Sequence, residues 1–178
     1  MKALIVIDMQ EDFIRGSLGS PEARAIIPAV AAKVAEYTAM EESVIIYTRD
    51  THFDNYMETM EGKYLPVPHC IVNTKGWQII PEVYNSDSVD IDKYTFGRRD
   101  LAEIVWEACG RKYNKFDIDS IELVGVCTDI CVISNALILK TGFDNTPIIV
   151  DSKCCAGVTP AKHEAALEVM RSCQIEVI

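Results

Sequence analysis

The sequence predicts a doubly wound α/β fold, a Rossmann-like three-layer sandwich whose mostly parallel six-stranded sheet carries helices on both faces. Three observations lead there. The strand-length runs are continuously apolar rather than alternating, as strands covered on both faces are. Segments with apolar residues at helical spacing separate these runs. Strand and helix alternate from end to end, the order that builds a parallel sheet.

Residues 3–7 (Ala3, Leu4, Ile5, Val6, Ile7) form the first apolar run of strand length. Residues 26–37 place apolar side chains at helical spacing, and 43–48 read as the second strand. From Asp50 to about Ser88 the chain loses periodicity and carries Pro66, Pro68 and Pro81. A loop of this length inside a compact domain is usually functional. Residues 89–91 give a short third strand, and 101–111 a helix with acidic Glu103 near its start and Arg111 at its end. The remaining elements are a strand over 121–126, a helix over 129–140 closed by Gly142, a strand over 147–150, a helix over 160–172 and a last strand over 175–178. Thr159-Pro160 supplies an N-cap followed by proline at the first helical position.

At 178 residues, 49% hydrophobic and 25% charged, the chain has material for one substantial core, so the expectation is a single domain over 1–178. The apolar run at the start is too brief for a signal peptide, and no stretch approaches the eighteen or so apolar residues of a membrane span. Seven cysteines, an odd count that includes adjacent Cys154 and Cys155, suit a reducing compartment rather than a disulfide framework, and the expected location is cytoplasmic. A net charge of −10 without a compensating basic patch argues against nucleic acid as a partner.

In doubly wound folds ligands bind beyond the carboxyl ends of the strands, where strand order reverses. The polar residues standing just after predicted strands are Asp8, Asp50 with His52, Lys93, and the turn that leads to Cys131. Cys131 falls in the first turn of a predicted helix, where unpaired N–H groups and the dipole favour a thiolate. Asp8 is a candidate base for that thiol, with a pKa that burial would raise, and Lys93 could hold the carboxylate and balance its charge. Backbone amides in the turn before Cys131 could stabilise an oxyanion, a contribution of about 3 kcal/mol per donor. Together these groups point to acyl transfer from an amide. Plainer readings stand beside each: Cys131 as a core thiol, Asp8 as a loop residue bonding its own backbone, and Lys93 as a surface lysine beside Asp90 and Asp92.

Residues 3–13 (ALIVIDMQEDF), 92–97 (DKYTFG) and 125–132 (GVCTDICV) resemble, in order and spacing, the isochorismatase-like cysteine hydrolases, a family that includes nicotinamidases. The resemblance covers nearly the whole chain. It implies a triad in which Cys131 attacks the substrate carbonyl, Asp8 shuttles the proton and Lys93 orients the pair. It also implies a cis peptide between Val126 and Cys127, with the amides of Cys127 and Cys131 directed at the oxyanion. Cys127 stands where relatives often have a smaller residue, and a second thiol there could pair with the first under oxidation.

The resemblance further implies a divalent metal, zinc first with iron or manganese as alternatives, held by Asp50, His52 and His69. The remaining ligand is assigned to Glu61, with Glu58 as the alternative, giving a mixed nitrogen and oxygen set. Residues two apart, such as Asp50 and His52, face one side of an extended segment. The plainer alternative has both histidines satisfying loop hydrogen bonds, and His163 reads as structural. Phe13 matches an aromatic of the family's pocket, whereas a tryptophan that some relatives carry ahead of Pro68-His69 is missing, leaving Tyr64 or Leu65 to fill that wall. The activity implied is hydrolysis of a small-molecule amide through a thioester acyl-enzyme, nicotinamide to nicotinate and ammonia before an N-carbamoyl compound. A homodimer or homotetramer is implied as the assembly. An isochorismatase proper fits less well, since vinyl ether cleavage requires neither the cysteine nor this metal pattern. The reading from another class is a binding or redox-sensing protein that uses Cys127 and Cys131 as a reversible pair.

Overall fold

Six strands form one sheet in the order β3-β2-β1-β4-β5-β6, and every pairing between neighbours is parallel. The strands are β1 (Lys2–Ile7), β2 (Ser43–Asp50), β3 (Val89–Lys93), β4 (Ser120–Val126), β5 (Ile148–Ala156) and β6 (Glu176–Val177). Between them lie α1 (Glu11–Ile14), α2 (Pro21–Ala25), α3 (Ile27–Thr38), α4 (Met60–Tyr64), α5 (Leu101–Ala108), α6 (Ile133–Gly142) and α7 (Pro160–Ser172). This architecture comes from a computed structural model that describes residues 1–110 and 118–178. Arg111, the expected end of the helix over 101–111, lies outside the described residues. No helix among the described residues is long and apolar enough to cross a membrane.

β1 occupies the middle of the sheet, and alternation along it divides the core in two. Ala3, Ile5 and Ile7 pack with Leu101, Val105, Leu139 and Leu167 from the α5, α6 and α7 side. Leu4 and Val6 pack with Val30, Val34 and Tyr37, the buried stripe of α3. Both sets are solvent-free, which is why the strand reads as an unbroken apolar run. Complete burial of a side chain of this size contributes about 1.5–3 kcal/mol. The capping expectation for α7 is met: Thr159 Oγ1 accepts from the Lys162 amide, and Pro160 holds the first helical position.

Three local features differ from the sequence reading. β5 continues past residue 150 to Ala156, although Asp151, Ser152 and Lys153 interrupt its apolar run. The ladder tolerates them through a register shift between Leu123 and Gly125, after which Gly125 pairs with Cys155 and Val126 with Ala156. The helix expected from residue 129 instead opens with a π-helical turn over Thr128–Val132 before α6 begins. α1, α2 and α4 are too short to give a hydrophobic period, so the sequence does not announce them.

The turning point of strand order lies between β1 and β4. β1 runs beside β2 on one flank and β4 on the other, with Ile7 opposite both Thr48 and Gly125. Gly125 has φ +118°, and a Cβ there would sit 2.1 Å from the Ile7 carbonyl oxygen, so only glycine allows β4 to pass this close. The close passage sets the distance between the end of β1 and the turn beyond β4.

Candidate active site

Asp8 leaves β1 with φ 49°, an uncommon conformation for a non-glycine residue, and its side chain is completely buried. Thr48, from the neighbouring strand, donates to Asp8 Oδ1 at 2.6 Å. Lys93 ends β3 opposite Asp50 of β2 and is likewise solvent-free, which removes the surface-lysine reading. Its Nζ lies 2.7 Å from Asp8 Oδ2, an ion-pair contact outside hydrogen-bond angles, and donates to Asp50 Oδ1 at 2.9 Å. It also donates to Cys131 Sγ at 3.4 Å. One ammonium thus joins the thiol to two carboxylates from two other strands.

Burial pushes the Asp8 carboxyl above its ordinary range, against the opposing charge of Lys93 and with help from Asp50. For Lys93 burial acts to lower the ammonium, but the charges of Asp8 and Asp50 overcome it and hold it raised. The Cys131 thiol is raised as well, burial being the chief cause, with Lys93 opposing and Asp8 adding. This corrects the helix-start argument for a resting thiolate. The turn is π-helical, the Val132 amide reaching back to Cys127 O at 3.1 Å and the Ile133 amide to Thr128 O, and the thiol it carries is desolvated. The site thus sets a neutral thiol and a carboxylate of raised pKa around one ammonium.

The peptide between Val126 and Cys127 is cis. The Cys127 carbonyl is taken by the Ile130 and Val132 amides, and no acceptor for the Cys127 amide is found among the described residues. Cys127 and Cys131 line a cavity of about 310 Å³ together with Phe13, His69, Leu65 and Ala156. Of the two residues expected at the wall, Leu65 is on this lining and Tyr64 is not, standing 86% exposed. The Phe13 ring lies 5.5 Å from that of His69.

Beside the thiol, Asp50, His52, Glu61 and His69 converge, their ligand atoms all within 4.8 Å of one another. Glu58 is not part of this group. His52 Nε2 lies 3.0 Å and His69 Nε2 3.4 Å from Asp50 Oδ2, and Glu61 Oε1 is 3.6 and 3.7 Å from the same two nitrogens. His69 Nδ1 is 2.8 Å from the Val67 carbonyl, which can only accept, so Nδ1 carries a proton and Nε2 is the atom turned towards the cluster. Two imidazoles and two carboxylates, mostly buried and aimed at one point, fit a divalent cation of the borderline class. Burial would raise the Asp50 carboxyl, yet hydrogen bonds from His52 and His69 and the charge of Lys93 hold it well below the carboxylate range. The cluster so holds its central carboxylate ionised, as a ligand must be.

Comparison with known proteins fits this geometry. The isochorismatase domain model matches residues 2–178. The chain belongs to the isochorismatase family. A nicotinamidase/pyrazinamidase of Mycobacterium tuberculosis is 29% identical over 187 residues, covering 100% of this chain and 98% of the relative. A pyrazinamidase of Pyrococcus horikoshii, solved in complex with zinc, superimposes with a TM-score of 0.83 at 30% identity over 99% of this chain and 98% of that one. An N-carbamoylsarcosine amidase of Thermoplasma acidophilum gives a TM-score of 0.76 at 25% identity, covering 99% and 94%.

Several residues of this family member support the site without having been marked by the sequence. Buried Gln10 grips Asp50 by both backbone groups, accepting from its amide at 2.7 Å and donating to its carbonyl at 2.9 Å, and donates to Trp77 O at 2.8 Å. Asp12 accepts from the Cys70 amide at 2.8 Å and so fixes the residue after His69. Asn135 donates to Cys131 O at 2.8 Å and to Phe96 O at 3.1 Å. His163, read as structural, is joined to buried Thr128 at 2.8 Å and ties α7 to the turn that carries Cys131. Asp8 has a positive φ and Asp12 lies in α1, so Asp8, Gln10 and Asp12 follow no strand alternation that the sequence could have shown. The other contacts join segments remote in sequence and leave no local pattern.

Proposed function

We propose that the chain is a cysteine-dependent amidohydrolase that hydrolyses nicotinamide to nicotinate and ammonia. The observation that carries this reading is the Lys93 ammonium, in contact with Asp8, Asp50 and Cys131 beside a four-ligand cluster. The amide carbonyl lies over Cys131, and Sγ attacks carbon as its proton passes to Asp8. The carbonyl oxygen, now an oxyanion, meets backbone amides of Cys127 and Cys131. Collapse breaks the carbon–nitrogen bond, Asp8 returns the proton to the leaving nitrogen, and ammonia departs from a thioester. Water then gives a proton to Asp8 and attacks the thioester; the carbon–sulfur bond breaks and Sγ recovers the proton. Lys93 stays charged throughout and keeps both carboxylates in place. Asp50, His52, Glu61 and His69 would hold a divalent ion that, when bound, offers a position to the pyridine nitrogen and so orients the ring.

An N-carbamoyl substrate is the second reading, favoured by Lys162, a cation on the cavity lining that could receive an acidic group. The redox-sensor reading is disfavoured by burial, which pushes the Cys127 thiol up to about 12 and raises Cys131 too, so neither is a ready thiolate. Ammonia release from nicotinamide and from N-carbamoylglycine, measured for the wild type with Cys131→Ala and Lys93→Ala, tests all three. Release from nicotinamide that Cys131→Ala abolishes is expected. Equal turnover by Cys131→Ala sinks the cysteine mechanism, and reaction with oxidant without any ammonia release would support the sensor.

A further inference from the structure

The cavity over Cys131 shares Glu61, Leu65, Phe96 and Ile130 with a broader trough of about 650 Å³ on the outer side of the metal-capable cluster. The trough is lined chiefly by apolar side chains held in water: Tyr64 at 86%, Met60 at 66% and Tyr94 at 59% exposure. Isolated exposed apolar residues are ordinary, but several around one concavity mark a binding surface. Tyr94 is also pre-set, because its ring stacks on Phe53 with centroids 5.9 Å apart and planes 22° from parallel. A ring braced in this way offers a flat face at low entropic cost. His52 and Glu61 line the inner edge of the trough, so whatever lies there adjoins the same cluster that faces the thiol.

We infer that the trough is a second subsite of the reacting cleft, and that it takes an aromatic or alkyl extension carried on the ring of the substrate. The substrate class then extends beyond nicotinamide to aromatic carboxamides that carry such a substituent. This rests on the amidase reading above. A small heteroaromatic amide is held by the inner cavity alone; an extended one also covers Met60 and Tyr94, removing apolar surface from water on both partners. Continuity through four shared lining residues favours a part of the substrate over a separate macromolecular partner.

The test compares kcat/KM for nicotinamide with that for a panel carrying one phenyl group at each free ring carbon. Wild type and a Met60→Ser/Tyr94→Ser double variant are assayed, with melting temperature and sedimentation recorded for both. The expected result is at least one isomer hydrolysed as efficiently as nicotinamide or better by the wild type. The ratio of its kcat/KM to that of nicotinamide falls about tenfold or more in the double variant. The inference is overturned if every isomer is poorer than nicotinamide in the wild type, or if the ratio falls less than this. It is also overturned if the variant alters only the sedimentation, which would assign the trough to a second copy of the chain. Turnover of a phenyl isomer without turnover of nicotinamide would discard nicotinamide as the substrate and retain the subsite; the opposite pattern would retain nicotinamide and discard the subsite.

Discussion

Lys93 is a single cation with three dependants, and removing it leaves two carboxylates buried without a counter-charge. Breaking a buried ion pair from one side costs about 3–5 kcal/mol. Lys93→Met is therefore expected to lower stability by that order in denaturant titration and to reduce turnover by about a thousandfold or more. A stability like that of the wild type would deny the pairing. Asp8 permits a pH prediction. Its folded pKa lies above the ordinary value, and its role as base requires the ionised form, so kcat/KM should rise with pH through a midpoint above the usual aspartate range of about 3.9. Thr48 favours the ionised form by donating to Oδ1. Thr48→Val should consequently move the acidic limb to higher pH. A downward shift, or none, would remove Asp8 from the proton path.

At the scale of elements, the π-helical turn is held from outside. His163 meets Thr128, and Asp129 Oδ1 accepts from the Val158 amide at 2.8 Å, so the start of α7 and the end of β5 clamp the turn on which Cys131 sits. His163→Ala should lower kcat about tenfold with KM little changed, and His163→Asn should recover part of it. Equal kcat in all three proteins would leave the clamp without a catalytic consequence. Gly125→Ala tests the strand crossing: a Cβ placed 2.1 Å from Ile7 O requires backbone movement and should cost about 2–4 kcal/mol in stability. The strands and long helices were legible because buried runs and helical periods are local signals. The extension of β5 and the opening π turn were not, since both are imposed by neighbours: a register shift in one case, and the reach of Cys127 O to two amides in the other. The same division holds in the site. Asp8, Lys93, Cys131 and the Asp50-x-His52 pair stand at strand ends and could be picked out. Thr48, Gln10 and His163 act through contacts across long sequence separations.

For the whole molecule, the metal-capable cluster draws Asp50 and His52 from the end of β2 and Glu61 and His69 from the long aperiodic segment, so an ion bound there fastens that segment to the sheet. A ligand at one hundred times its Kd stabilises by about 2.7 kcal/mol. Exhaustive chelation should thus lower the melting temperature by roughly 5–10 °C, and zinc should restore it. His69→Ala should abolish the response to both. A melting temperature indifferent to chelator and zinc would separate the cluster from any metal. Because Lys93 touches Asp8 and Cys131 on one side and Asp50 on the other, the two halves of the site also form a reciprocal pair. Whatever factor an ion at Asp50 imposes on ligation at Cys131, ligation at Cys131 must impose on the ion. Calorimetric titration with zinc in the presence and absence of a reversible thiol-directed ligand, and of that ligand with and without zinc, should therefore give one coupling constant from either direction, the two sites being joined through a single nitrogen atom.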